Sequence, residues 1–256
     1  GGGLTAYGLS VGGEVEDYRV RIITNVAPVL VTPLADYAVL EDAADSTFDL
    51  AARFADDDMT NGNGDFLTYS VTLQGFASAV TDLGTQGAVH VRLEANQPGQ
   101  AGNAIQLVVT ESNHGDASGP IVTVSDRTVN VDINTNAANP TTAQQVVDAI
   151  NGDPAAGALV TAAIVRGVAA QDLTATDPGG YSPVQLATSL PVEYQLSGSQ
   201  LTLDYLPDQN GRLVLVMTAS DQTFTEVSDT VTITVNAVND APTFQAGVSP
   251  IVLNED

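Results

Sequence analysis

The sequence predicts an all-β chain in which a β-sandwich is interrupted by an inserted α+β module. Three observations lead there. Apolar residues alternate with Thr, Ser and Asn along many short runs, the period of half-buried strands. One stretch alone carries a helical period. And a short segment recurs at an offset of 214 residues, twice the length of an ordinary sandwich of about 100 residues, so something of similar size is inserted.

In chain order, Tyr18–Ile23 alternates and reads as a strand. Phe48, Leu50 and Phe54 form an apolar run that ends in an acidic loop. Leu67, Tyr69, Val71 and Leu73 alternate with Thr68, Ser70 and Thr72. From about Phe76 to Ser182 the style changes. This segment has its own strands, at Val89–Leu93, Ile105–Val109, Ile121–Val124, Val129–Ile133 and Leu159–Val165. It also holds the helical stretch, Thr141 to Asn151. There Ala143, Val146, Val147 and Ile150 share one face, Thr141 or Thr142 follows Asn139-Pro140 as a cap, and Gly152 stops the run. The chain is thus expected to hold one short helix. The sandwich style resumes over Gln200–Asp221 and in Val231, Ile233 and Val235.

The recurring segment divides the chain. Ala27-Pro28 leads to Glu41-Asp42, and Ala241-Pro242 leads to Glu255-Asp256, with the same 14 positions from Ala to Glu. The expected organisation is a fragment of a preceding module at 1–26, a sandwich at 27–75 and 183–240, an inserted module at 76–182, and the opening strand of a next repeat at 241–256. The absence of an initiator Met and of a signal peptide reads as a piece cut from something longer.

Composition excludes several functions. The 31 acids face seven bases, all Arg, for a net charge of −24. So few scattered cations cannot neutralise a run of phosphates or hold an anionic membrane surface. No stretch reaches the 18 apolar residues that a membrane span requires. Without Cys there is no disulfide, thiolate metal site or thiol nucleophile. Serine-hydrolase, P-loop and zinc-protease motifs are absent, and a carboxylate pair for glycoside cleavage lacks an aromatic cleft, since Trp is absent and aromatics are 5%. The chain is not expected to be an enzyme. His90, on the polar side of its strand beside Arg92, reads as a surface residue, and His114 as a loop residue.

The acids are clustered rather than spread. Asp56-Asp57-Asp58 ends an apolar run and is followed by Asn61-Gly62-Asn63-Gly64-Asp65. Three adjacent carboxylates with no nearby Lys repel one another, and Asp-x-Asp in a loop suits Ca²⁺, which takes six to eight oxygen ligands. Asp221 ends the strand Leu213–Ala219, and Asn239-Asp240 closes the repeat before Ala241-Pro242. Acids recurring at strand ends and at a joint between sandwiches suggest an ion that braces neighbouring domains.

The pattern Phe54-x-Asp56-x-Asp58, Asn63-Gly64, Leu67-x-Tyr69-Ser70, Thr218-Ala219-Ser220-Asp221 and Val235-x-x-Val238-Asn239-Asp240-Ala241-Pro242-x-Phe244 resembles the cadherin-like repeats of large bacterial surface proteins. It covers about Ala27–Phe76 and Gln200–Asp240. Gly13-Glu14-Val15-Glu16-Asp17-Tyr18 resembles the signature that ends GEVEDY-type modules of similar secreted proteins. The resemblance implies a Greek-key, cadherin- or Ig-like sandwich with Ca²⁺ at its joints. Asp56, Asp58, Asn63 and Asp221 match the loops of the N-terminal pole. Glu41, Asn239 and Asp240 match the C-terminal pole, and Asp208 falls near an acidic strand-end motif whose companion Glu is missing (Gln209-Asn210 follow). Asn25-Val26-Ala27-Pro28 aligns with Asn239-Asp240-Ala241-Pro242, so Val26 stands where the linker Asp belongs. The N-terminal joint should therefore bind Ca²⁺ more weakly, with Glu14, Glu16 and Asp17 as partial substitutes.

The expected function is a non-enzymatic structural or adhesive repeat, secreted or attached to a cell surface. Its partners would be neighbouring repeats or copies of itself, with a cell-surface glycan or protein as a further candidate. Two alternatives stand beside it. One is a filament subunit completed by strands from its ends, Tyr18–Ile23 and Pro242–Leu253. The other is a glycan-binding module with the insert as its head.

Overall fold

The computed structural model describes residues 25–60, 65–84, 88–116, 119–173, 181–223 and 225–239. The expected strand Tyr18–Ile23, the GEVEDY-like segment and the segment after Asn239 lie outside them. The chain begins with β1 (Val29–Leu30), β2 (Tyr37–Leu40), β3 (Ser46–Asp49), a 3₁₀ turn (Leu50–Ala52), β4 (Phe54–Ala55) and α1 (Asp57–Thr60). It continues through β5 (Thr68–Leu83), β6 (Val89–Pro98), α2 (Gln100–Asn103), β7 (Gln106–Ser112), β8 (Ile121–Ser125) and β9 (Thr128–Asn134). Then come α3 (Ala143–Gly152), α4 (Ala156–Leu159), β10 (Val160–Arg166), β11 (Val184–Gln185), β12 (Val192–Ser197), β13 (Gln200–Tyr205), β14 (Gly211–Ser220) and β15 (Glu226–Asn236).

The chain is mostly strand, as its alternation predicts. It holds four helices among the described residues rather than one. α1, α2 and α4 have four residues each, too short to show a 3.6-residue period. α3 is the predicted helix. Its cap is Thr142, whose Oγ1 accepts from Gln145 N (3.3 Å) while Gln145 Oε1 accepts from Thr142 N (2.8 Å), a reciprocal capping box. Thr142→Ala should cost about 1 kcal/mol of stability, read by urea denaturation.

The strands form two pairs of layers. In the first, β5-β14-β15-β2, with β2 parallel to β15, faces β12-β13-β3. Chain order and pairing together give the strand arrangement of an immunoglobulin-type sandwich. Its interior is filled by Leu213, Leu215, Met217, Val231 and Ile233 from one sheet and Leu201 and Leu203 from the other. A hydroxyl chain crosses between the sheets, from Tyr37 to Tyr205 (3.0 Å) to Ser46 (2.8 Å). In the second, β10 and β6 pair with the far half of β5, while β11-β7-β9-β8 lies opposite. Here Val91, Leu93, Leu107, Val131, Ile133 and the face of α3 (Val146, Ile150) make a second apolar cluster.

One strand joins the two. β5 runs for 16 residues; Thr68–Gly75 pairs with β14, and Phe76–Leu83 pairs with β6. Gly75 marks the crossing, where a Cβ would run into Thr188 and Leu190 of the returning chain. Glu94 on β6 fastens the crossing by accepting from Arg212 of β14 (2.7 Å) and from Arg92 (3.0 Å). The Arg212 guanidinium also lies 4.3 Å from the centre of the Phe76 ring.

Candidate metal centre

Strand pairing gathers the acids at one end of the sandwich. β1 and β4 are antiparallel, with Val29 opposite Ala55, so the residues before β1 lie beside those after β4. Asn25 and Val26 thereby reach Asp56–Asp58. β5 and β14 are antiparallel, with Thr68 opposite Ser220, so Asp65 and Asp221 lie at the same end.

Asp56, Asp58 and Asp65 each present a carboxylate oxygen within 4.8 Å of the other two, and together they can hold a metal ion. Asp56 is 4% exposed and Asp58 5%. Asp56 Oδ1 accepts from Asp58 N (2.8 Å), an Asx turn that folds one acid over the next. Asp56 Oδ2 is buried and has no hydrogen-bond partner. A buried carboxylate oxygen without a partner costs free energy unless a cation meets it. None of the ion pairs among the described residues involves these three acids. An all-oxygen donor set suits a hard dication and not a thiolate- or imidazole-seeking metal.

The chain that enters the sandwich is tied to this cluster. Val26 N donates to Asp58 Oδ2 (2.7 Å), and Asn25 Nδ2 donates to Asp221 Oδ2 (2.9 Å). Asp221 is buried, and its Oδ1 accepts from Thr223 N and Oγ1 and from Thr225 N, at 2.8–2.9 Å. The bond from Asn25, with these others, pulls the Asp221 carboxyl down to about 2. A depressed carboxyl contributes stability that is full above its unfolded value near 3.9 and is lost only as pH falls through about 2.

The opposite end holds a second orphan. Glu41 follows β2, is 4% exposed, and its Oε1 accepts from Val238 N (2.7 Å), while Oε2 is buried without a partner. Asp208 lies in the exposed turn from β13 to β14, with a left-handed φ of 56°. Asn239 is exposed at this end. Asn63 and Asp240 lie outside the described residues.

Asp65 is the residue that sequence reasoning left out of the ligand set. It closes the same Asp/Asn/Gly run in the sequence, but spacing alone does not bring it to Asp56, which the fold does. His90 sits on its strand face with Nδ1 2.9 Å from Asp82. Both ring nitrogens of His114 are engaged within the fold. No protein-family model matches the chain, and no curated protein or solved structure matches it.

Proposed function

We propose that the chain is a Ca²⁺-stiffened structural or adhesive repeat of a long extracellular protein, the ion fixing each sandwich to its neighbour. The supporting observation is the buried, unpartnered Oδ2 of Asp56, set among Asp58 and Asp65 at the end where the incoming linker is hydrogen-bonded. An ion there neutralises the cluster and restrains Asn25–Val26 at the same time, which is what a joint needs. Glu41, with Asn239 and Asp240, is the corresponding set for the following joint. Extracellular calcium modules bind at about 10⁻⁴–10⁻³ M. At ten times Kd such a site adds only about 1.4 kcal/mol, so the ion stiffens the joint and the sandwich survives chelation.

The test is calorimetric titration with Ca²⁺, with and without Val26→Asp. Val26 is 43% exposed beside the cluster and its N–H stays in place on substitution. The added carboxylate should tighten binding several-fold, on the order of 3–10, because ligand charge tunes affinity. Equal or weaker binding contradicts the assignment.

One observation favours the filament reading as a second possibility. The half of β5 from Thr68 to Gly75 pairs with β14 on one side and with no strand on the other among the described residues. Tyr194 Oη caps that edge at the Val71 carbonyl (3.0 Å), and Gly99 N caps its end at the Gly75 carbonyl (2.9 Å). Such an edge accepts an added strand. Light scattering decides it, since a chain that stays monomeric at high concentration is no such subunit.

A further inference from the structure

The loop between β7 and β8 is held against β9 by two side chains: Asn134, whose Nδ2 donates to the Gly115 carbonyl (2.9 Å), and His114. His114 is 8% exposed at its side chain, and its N–H donates to Asn134 Oδ1 (2.8 Å). Its Nε2 lies 2.9 Å from Asp132 Oδ2, on β9. Its Nδ1 lies 3.2 Å from the Gly119 carbonyl oxygen, on the far side of the loop. A carbonyl oxygen only accepts, and so does an ionised carboxylate. A neutral imidazole donates from one nitrogen alone, so satisfying both contacts requires the imidazolium. We propose that His114 is a proton-operated latch: charged, it fastens both sides of the β7–β8 loop to the inserted module's sheet, and loss of its proton releases one side.

The surroundings favour the charged form. From β9 comes Asp132, and from the loop itself Asp116. β7 presents the hydroxyls of Thr110 (3.0 Å from Asp132 Oδ1) and Ser112, both donating to the same carboxylate. Glu111 alternates to the other face of β7. β8 places Ile121 opposite Asp132. Every ionisable neighbour is therefore an acid. The hydrogen bond to Asp132 raises the His114 pKa above its ordinary value although burial works against it. For Asp132, burial alone would raise the carboxyl, but the bonds from His114, Ser112 and Thr110 outweigh it and hold it below the ordinary range. With the folded pKa raised, the latch is fully engaged below the unfolded value near 6.5 and is lost as pH rises through the folded value.

The test is an NMR pH titration of the full chain carrying His90→Gln, which leaves a single histidine. His114 should titrate above 6.5, and Asp132→Asn should bring its midpoint down. Amide protection at 114–116 should fall about tenfold across that midpoint, the scale of one charge-assisted hydrogen bond. Protection in β9 should hold. A midpoint at or below 6.5 in the His90→Gln chain overturns the proposal, and so does loop protection that does not change across the midpoint. The first reading needs no variant of the latch itself, so misfolding of Asp132→Asn cannot obscure the result.

Discussion

Asp56→Ala should remove most of the Ca²⁺ affinity. A ligand's removal is expected to cost at least what loss of a hydrogen-bonded supporter costs at other metal sites, roughly 10–100-fold. Calorimetry reads this directly. The companion change Asp56→Asn separates a metal site from a merely structural acid. Without Ca²⁺, the asparagine amide can donate to Asp58 or Asp65, and repulsion in the cluster falls. The metal-free protein should then gain stability, by about 1 kcal/mol on the scale of one satisfied buried group. A structural carboxylate would do the opposite: Asn would destabilise the fold whether or not Ca²⁺ is present. Gain without the ion and loss with it is the signature of ligation.

The second large effect concerns the shared strand. Leu215 and Leu93 are fully buried, one in each apolar cluster. Truncating either to Ala should cost about 3–5 kcal/mol, the transfer cost plus the cavity left behind. β5 belongs to both clusters, and Glu94 ties β6 to Arg212 of β14. Each substitution should therefore lower one common unfolding transition rather than one of two. Thermal scans followed by near- and far-UV circular dichroism check it. Two separated transitions, only one moved by each variant, would mean that the junction does not couple the layers.

The strands with clean alternation were legible because one face of each is buried and the other is wet. Val129–Ile133, Val231–Val235 and Leu213–Ala219 fall within β9, β15 and β14 for that reason. The far half of β5 was not legible. From Gly75 to Leu83 it passes from one core into another, so Phe76 and Ala77 are buried in succession and the period breaks. Single-turn helices such as α1 leave no periodic trace; the Asp-rich turn that carries the site is one of them. For the site, Asp56 and Asp58 were legible from their i, i+2 spacing in a charged loop. Asp65 was not, because its place depends on how the intervening turn folds, which spacing alone does not state. The role of Val26 was half legible. Its side chain marks a missing carboxylate, but its N–H, which binds Asp58, belongs to every residue type but proline. His114 looked like an ordinary loop residue, since its partners, Asp132 and Gly119, are brought to it only by the pairing of β7 and β8 with β9.

Anomalous diffraction from crystals grown with saturating Ca²⁺ tests the central claim most directly. The account predicts one strong peak within 2.3–2.6 Å of carboxylate oxygens from Asp56, Asp58 and Asp65, with Asp56 Oδ2 among them. Crystals without a peak at that position, in which the three carboxylates turn away from one another into water, would contradict it.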